Sequence, residues 1–132
     1  MSEATYRAVV CEALGPPESL QLRTLPRSRL GPGTVRVAVK AAGINFPDVL
    51  TIRGLYQHRP QLPFVPGIEV AGLITELTEG VGGLSIGQRV IARMRTGGYA
   101  EEAVVPASQV IPAPEDFSFV EAATFLAAHV TA

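Results

Sequence analysis

The chain has 132 residues, a formal net charge of −1, and 47% apolar against 17% charged residues. A chain of this length forms one domain with its own core, and this composition argues against disorder and, without a basic stripe, against nucleic acid as a partner. No apolar run approaches the ~20 residues of a membrane span, no secretory signal opens the sequence, and the lone Cys11 excludes an intrachain disulfide or a multi-cysteine zinc site, so a reducing cytoplasm is expected. Thirteen glycines and eleven prolines divide the sequence into short segments. Between them, β-branched runs with partial alternation predict strands at 6–13, 20–25, 35–40, 70–78, 88–94, 99–105 and 109–111. Val35-Arg36-Val37-Ala38-Val39-Lys40 alternates cleanly, with three valines on one face. This spacing of strands and turns suggests a barrel or a sandwich. Gly80–Gly87 is glycine-rich, but a strand follows it where a dinucleotide fingerprint needs a helix, so it predicts a hairpin connection.

Two segments break the strand rhythm. Asn45 can cap a helix, Pro47 and Asp48 suit its first turn, and Gly54 stops it, which predicts a short helix near 46–53. Ser118-Phe119-Val120-Glu121 carries a capping-box pattern that opens a second helix from about 118. That helix would run through the apolar segment to Ala132 and would require burial.

Four ordered blocks carry a resemblance. They are Val37–Asp48, Leu62–Gly72 (with Pro66-Gly67-Ile68-Glu69), Ile86-Gly87-Gln88-Arg89-Val90, and Gly97-Gly98-Tyr99-Ala100-Glu101-Glu102. Together they resemble the N-terminal catalytic domain of the medium-chain dehydrogenases/reductases, and the match extends over nearly the whole chain. The resemblance implies a mainly β, GroES-like, partly open barrel over residues 1–132, ending at the start of an interdomain helix. It also implies that the dinucleotide-binding (Rossmann) half is not in this chain. Where zinc-dependent members carry a cysteine this chain has Asn45, and where they have Gly-His-Glu it has Gly67-Ile68-Glu69. Isoleucine has no lone pair to give and asparagine is a poor zinc ligand, so no zinc is expected. This pattern, with Gly54-Leu55-Tyr56, is similar to the quinone-oxidoreductase (zeta-crystallin-like) branch. Leu50 stands where some members of that branch have tyrosine, which implies a more apolar cleft on that side.

The resemblance further implies reduction of quinones or related conjugated carbonyls with hydride from NADPH bound mainly by the other half, and a homodimeric full-length protein. This chain alone is expected to be inactive. Tyr56 would donate to the substrate oxygen, and Asn45 would orient the carbonyl or the nicotinamide ribose. Asp48 would polarise a neighbour, and Thr131 would lie near the nicotinamide. Each residue also has a plainer reading: Asn45 as N-cap, Tyr56 as a half-buried loop aromatic, Asp48 as a first-turn acid suited to the helix dipole, and Glu69 as a strand-start carboxylate paired with an arginine. His58 and His129 have no partner at ligand spacing, and His58 is expected in a solvated loop. A stand-alone GroES-like binding module is the alternative, although the block from Asn45 to Tyr56 would have no role in one.

Overall fold

The computed structural model describes residues 4–57 and 59–124. His58, His129 and Thr131, and the apolar segment beyond Thr124, therefore lie outside the described residues. Seven strands form: β1 (Thr5–Val10), β2 (Gln21–Pro26), β3 (Thr34–Ala42), β4 (Glu69–Leu77), β5 (Arg89–Arg93), β6 (Glu102–Pro106) and β7 (Val110–Pro112). Two α-helices accompany them, α1 (Phe46–Arg53) and α2 (Phe119–Ala123). β1 and β2 pair as a hairpin, and the other five strands form an antiparallel sheet in the order β6-β3-β4-β5-β7. The result is the expected mainly β, curled, partly open barrel.

The strand expected at 99–105 divides in two. Regular pairing with β3 begins at Glu102, whereas residues 99–101 lace the hairpin to the sheet. Val9 N–H donates to Tyr99 C=O at 2.8 Å, Glu101 N–H to Arg7 C=O at 2.9 Å, and Val39 N–H to Glu101 C=O at 2.8 Å. This short segment thus bonds to β1 and β3 in turn, and the two sheets become one curved surface.

Alternation decides the core. Val35 and Val37 of β3 are fully buried with Val70, Ile74, Val90 and Val105, and Val39 packs against their edge. On the opposite face of β4 and β5, Ala71 and Ile91 pack against Ala122 and Ala123 of α2. Strands covered on both faces are apolar without interruption, as Val70-Ala71 and Val90-Ile91-Ala92 show. A third cluster, Cys11, Ile52 and Phe64, fixes α1 to the end of β1. The predicted capping box on α2 forms: Glu121 N–H donates to Ser118 Oγ at 3.1 Å, and Ser118 N–H to Glu121 Oε1 at 2.9 Å.

Arg36 faces away from the valines and is also buried. Its guanidinium meets Glu76 at 2.9 Å and Glu102 at 3.2 Å, and donates to the Ser28 carbonyl. Arg27 completes the network with two 2.7 Å bonds to Glu102, so the chain between β2 and β3 is pinned to the sheet. Buried charges persist only when paired in this way.

Candidate functional site

Three of the sequence blocks meet at one end of the barrel. The first supplies α1. Asn45 takes the N-cap position with extended backbone (φ −122°, ψ 156°), and Gly54 closes the helix. Asp48, at the third helical position, accepts the Asn45 N–H at 2.9 Å through Oδ2. The second block enters β4 through Gly67 and Ile68. The third to meet here, residues 97–102, runs along it together with the residues just before it: Met94 N–H donates to Ile68 C=O at 2.9 Å, Gly97 N–H to Val65 C=O at 2.7 Å, and Tyr99 N–H to Pro66 C=O at 2.8 Å.

Gly67 makes this approach possible. A Cβ there would lie 2.7 Å from Tyr99 Cδ1 and 2.8 Å from Gly98 Cα, at a φ of 109° that side chains rarely adopt. With that space clear, the Tyr99 ring passes over the second block and its hydroxyl donates to Asp48 Oδ2 at 2.8 Å. One buried carboxylate oxygen thus ties the helix start to the third block. Burial raises the Asp48 pKa, against the lowering effect of the Asn45 N–H and the Tyr99 hydroxyl. Burial, and then donation to Asp48, push the Tyr99 phenol far above its ordinary range. Asp48 Oδ1 and Asn45 Nδ2 are both buried without a hydrogen-bond partner, so a polar acceptor and a polar donor remain unused at the helix start.

Tyr56 follows α1 in the chain. With Pro47, Thr51, Ile68, Arg93, Met94 and Arg95 it lines a cavity of about 240 Å3. Ile68, in the position where zinc-dependent members place histidine, forms part of its wall. Ile44 and Phe46 flank Asn45 with exposures of 78% and 72%, an apolar lip beside the orphaned amide. A larger groove of about 590 Å3 runs between the β1–β2 hairpin and β3, and Asn45, Asp48 and Tyr56 take no part in it. Among the described residues no group of three His, Cys, Asp or Glu side chains could hold a metal ion.

The structure therefore brings Asn45 and Asp48 into contact and sets Tyr56 on a cavity lined from α1 by Pro47 and Thr51 instead. Glu69 is fully buried at the start of β4. Thr131 lies outside the described residues. Tyr99, Arg93 and Arg95 are not distinguishable as site residues in the sequence. The only signal for Tyr99 is its place in the Gly97-Gly98-Tyr99 block, and nothing in the sequence singles out the two arginines.

The family model of the alcohol dehydrogenase GroES-like domain matches residues 31–115. Among curated relatives, a quinone oxidoreductase-like protein 2 homolog of Nematostella vectensis is 42% identical over 97% of this chain and 35% of its own length. The synaptic vesicle membrane protein VAT-1 homolog of Mus musculus is 38% identical over 96% of this chain and 32% of its own. Among solved structures, the quinone oxidoreductase of Thermus thermophilus, determined also in complex with NADPH, superposes with a TM-score of 0.77. It is 38% identical over 90% of this chain and 36% of its own. This chain thus spans about a third of the length of the relatives it matches. Its sheet order, the convergence of its three blocks and these matches agree: the chain belongs to the alcohol dehydrogenase GroES-like domain family, on the quinone-oxidoreductase-like branch of the medium-chain dehydrogenases/reductases.

Proposed function

We propose that this chain is the substrate-side domain of a zinc-independent, NADPH-dependent reductase of quinones and similar conjugated carbonyls, acting in the cytoplasm as a homodimer. The observation that carries the reading is the cavity lined by Tyr56, Ile68 and residues of α1, the helix whose N-cap residue, Asn45, holds a buried amide without a partner. The donor chemistry there suits hydrogen bonding rather than metal binding. Ile68 offers no lone pair, no described Asp or Glu lines the cavity, and Asp48 at the helix start receives Tyr99 and the Asn45 N–H through Oδ2.

The described residues fit the nicotinamide end of a dinucleotide and not its pyrophosphate. Asn45 Nδ2 is a buried donor in search of an acceptor, whereas Gly80-Val81-Gly82-Gly83 joins two antiparallel strands and does not open a helix. NADPH bound by a partner dinucleotide-binding domain would supply the hydride. The residues of this chain orient the acceptor. Tyr56 donates from its hydroxyl to the carbonyl oxygen that gains negative charge, the Asn45 amide fixes the ring or the ribose alongside, and Ile44 and Phe46 exclude water from one edge. Without a metal, such donors are what stabilises the developing oxyanion.

Tyr56→Phe tests this in the intact reductase. Removing one hydroxyl is expected to lower kcat by up to ~10²-fold with little change in stability, since the donor acts mainly in the transition state. Unchanged kcat with several quinones and enones would leave Tyr56 a packing residue and defeat the assignment.

A further inference from the structure

The basic side chains of the sheet divide into two groups. Most have partners: Arg7 meets Glu101, Arg23 meets Glu12, and Arg27 and Arg36 share Glu102. Arg89 donates to the carbonyls of Pro114, Glu115 and Phe117 and lies 4.6 Å from the Phe119 ring centroid. Arg93 and Arg95, like Lys40 of β3, do not, and of these it is the two arginines that line the Tyr56 cavity. Among the described residues neither joins an ion pair or a side-chain hydrogen bond. Glu69, opposite Arg93 in the β4–β5 register, is fully buried, whereas Arg93 is only half-buried and Arg95 is exposed.

Both arginines are among the residues that line the Tyr56 cavity, and no described Asp or Glu is. The backbone there is fixed, because the Met94 N–H bond to Ile68 C=O and the Gly97 N–H bond to Val65 C=O hold the Arg93–Arg95 stretch along the cavity edge. The same two arginines border a second cavity of about 540 Å3 that also takes in Thr96, Val104 and Gln109. They form a cationic ridge between the two spaces. We propose that Arg93 and Arg95 bind an oxyanion on the substrate, so that this site takes conjugated carbonyl compounds bearing a carboxylate or a phosphate ester in preference to neutral quinones.

The proposal rests on the Tyr56 reading and narrows it. A planar guanidinium pairs two-pronged with a carboxylate or phosphate, and two of them beside an apolar wall hold such a group more firmly than bulk water would allow. Tyr56 holds the carbonyl on one side of the ridge. The anionic group lies over the ridge, and any larger substituent extends into the second cavity. A cofactor pyrophosphate is not the occupant the geometry suggests, because its usual partner, a glycine turn opening a helix, has no counterpart among the described residues.

Benzoylpropionate and its methyl ester, an aryl ketone with and without a carboxylate, separate these terms without requiring catalysis. Their affinities for the 132-residue chain are to be read by NMR shift titration at low salt. The acid should bind about tenfold more tightly than the ester, and that preference should fall as salt is raised. In the Arg93→Gln/Arg95→Gln double variant it should drop below about twofold with ester affinity unchanged, while Arg93→Lys/Arg95→Lys retains part of it. Inorganic phosphate should displace the acid and leave the ester in place, and stronger competition by phosphate than by acetate would assign the subsite to phosphate esters. Tyr56→Phe should weaken acid and ester alike, which reports on the carbonyl subsite separately. Equal affinity for acid and ester, or a preference that survives in the double glutamine variant, would overturn the anion subsite and leave the Tyr56 reading standing. No binding of either probe would overturn both.

Discussion

At Asp48 one carboxylate oxygen receives two hydrogen bonds, from the Asn45 N–H and the Tyr99 hydroxyl, while the other oxygen is buried without a partner. The balance of these effects leaves its folded pKa above the ordinary value of 3.8. The folded state therefore holds the proton more strongly than the unfolded chain does. Stability from this group is complete below its unfolded pKa and is lost as pH rises through the higher folded one. Asp48→Asn keeps an acceptor for Tyr99 and removes the titration. The variant should thus lose more stability relative to the parent at pH 4 than at pH 7, measured by urea unfolding at both. An equal loss at the two values, or the reverse order, would show that Asp48 is not destabilised in its charged form. The sequence showed Asp48 as a first-turn acid. It could not show that Tyr99, fifty-one positions away, would meet it.

Between elements, the closest approach is at the β3–β4 pairing. Gly72 lies opposite Val39, beside the irregularity between Val39 and Ala41. A Cβ at this position would stand 2.0 Å from the Ala38 carbonyl oxygen and 2.9 Å from its carbon. Those atoms are main chain inside a paired strand, so they cannot rotate away as a side-chain tip could. Gly72→Ala should therefore cost about 2–5 kcal/mol by forcing the central strand pair apart, measured by chemical denaturation. A loss below about 0.5 kcal/mol would mean that the sheet shifts freely here. The two helices were legible because their ends carry local signals: Asn45, Pro47 and Gly54 for α1, and Ser118 with Glu121 for α2. The interruption of the strand expected at 99–105 was not, since residues 99–101 follow neighbours on β1 and β3 instead of their own pattern.

Across the described chain, every strand pairing is antiparallel. A dinucleotide-binding unit needs parallel strands joined through a helix whose first N–H groups cradle the pyrophosphate. The 132-residue chain should thus show no micromolar affinity for NADPH by titration calorimetry, and fusion to a dinucleotide-binding domain of the family should create it. Micromolar binding by the chain alone would contradict the division of labour proposed above.

Turn residues, alternation and helix caps are local, and they specified most of the strands and the starts of both described helices. Four blocks in order were enough to indicate the family. What required the folded chain were contacts between residues distant in sequence. Tyr99 reaches Asp48 only because Gly67 leaves room for its ring, and Arg93 and Arg95 border the Tyr56 cavity only because the 94–97 stretch is bonded to 65–68. A strand-end arginine looks the same in sequence whether it meets a carboxylate or an open cavity. Sheet register decides which, because pairing sets what stands opposite each charge.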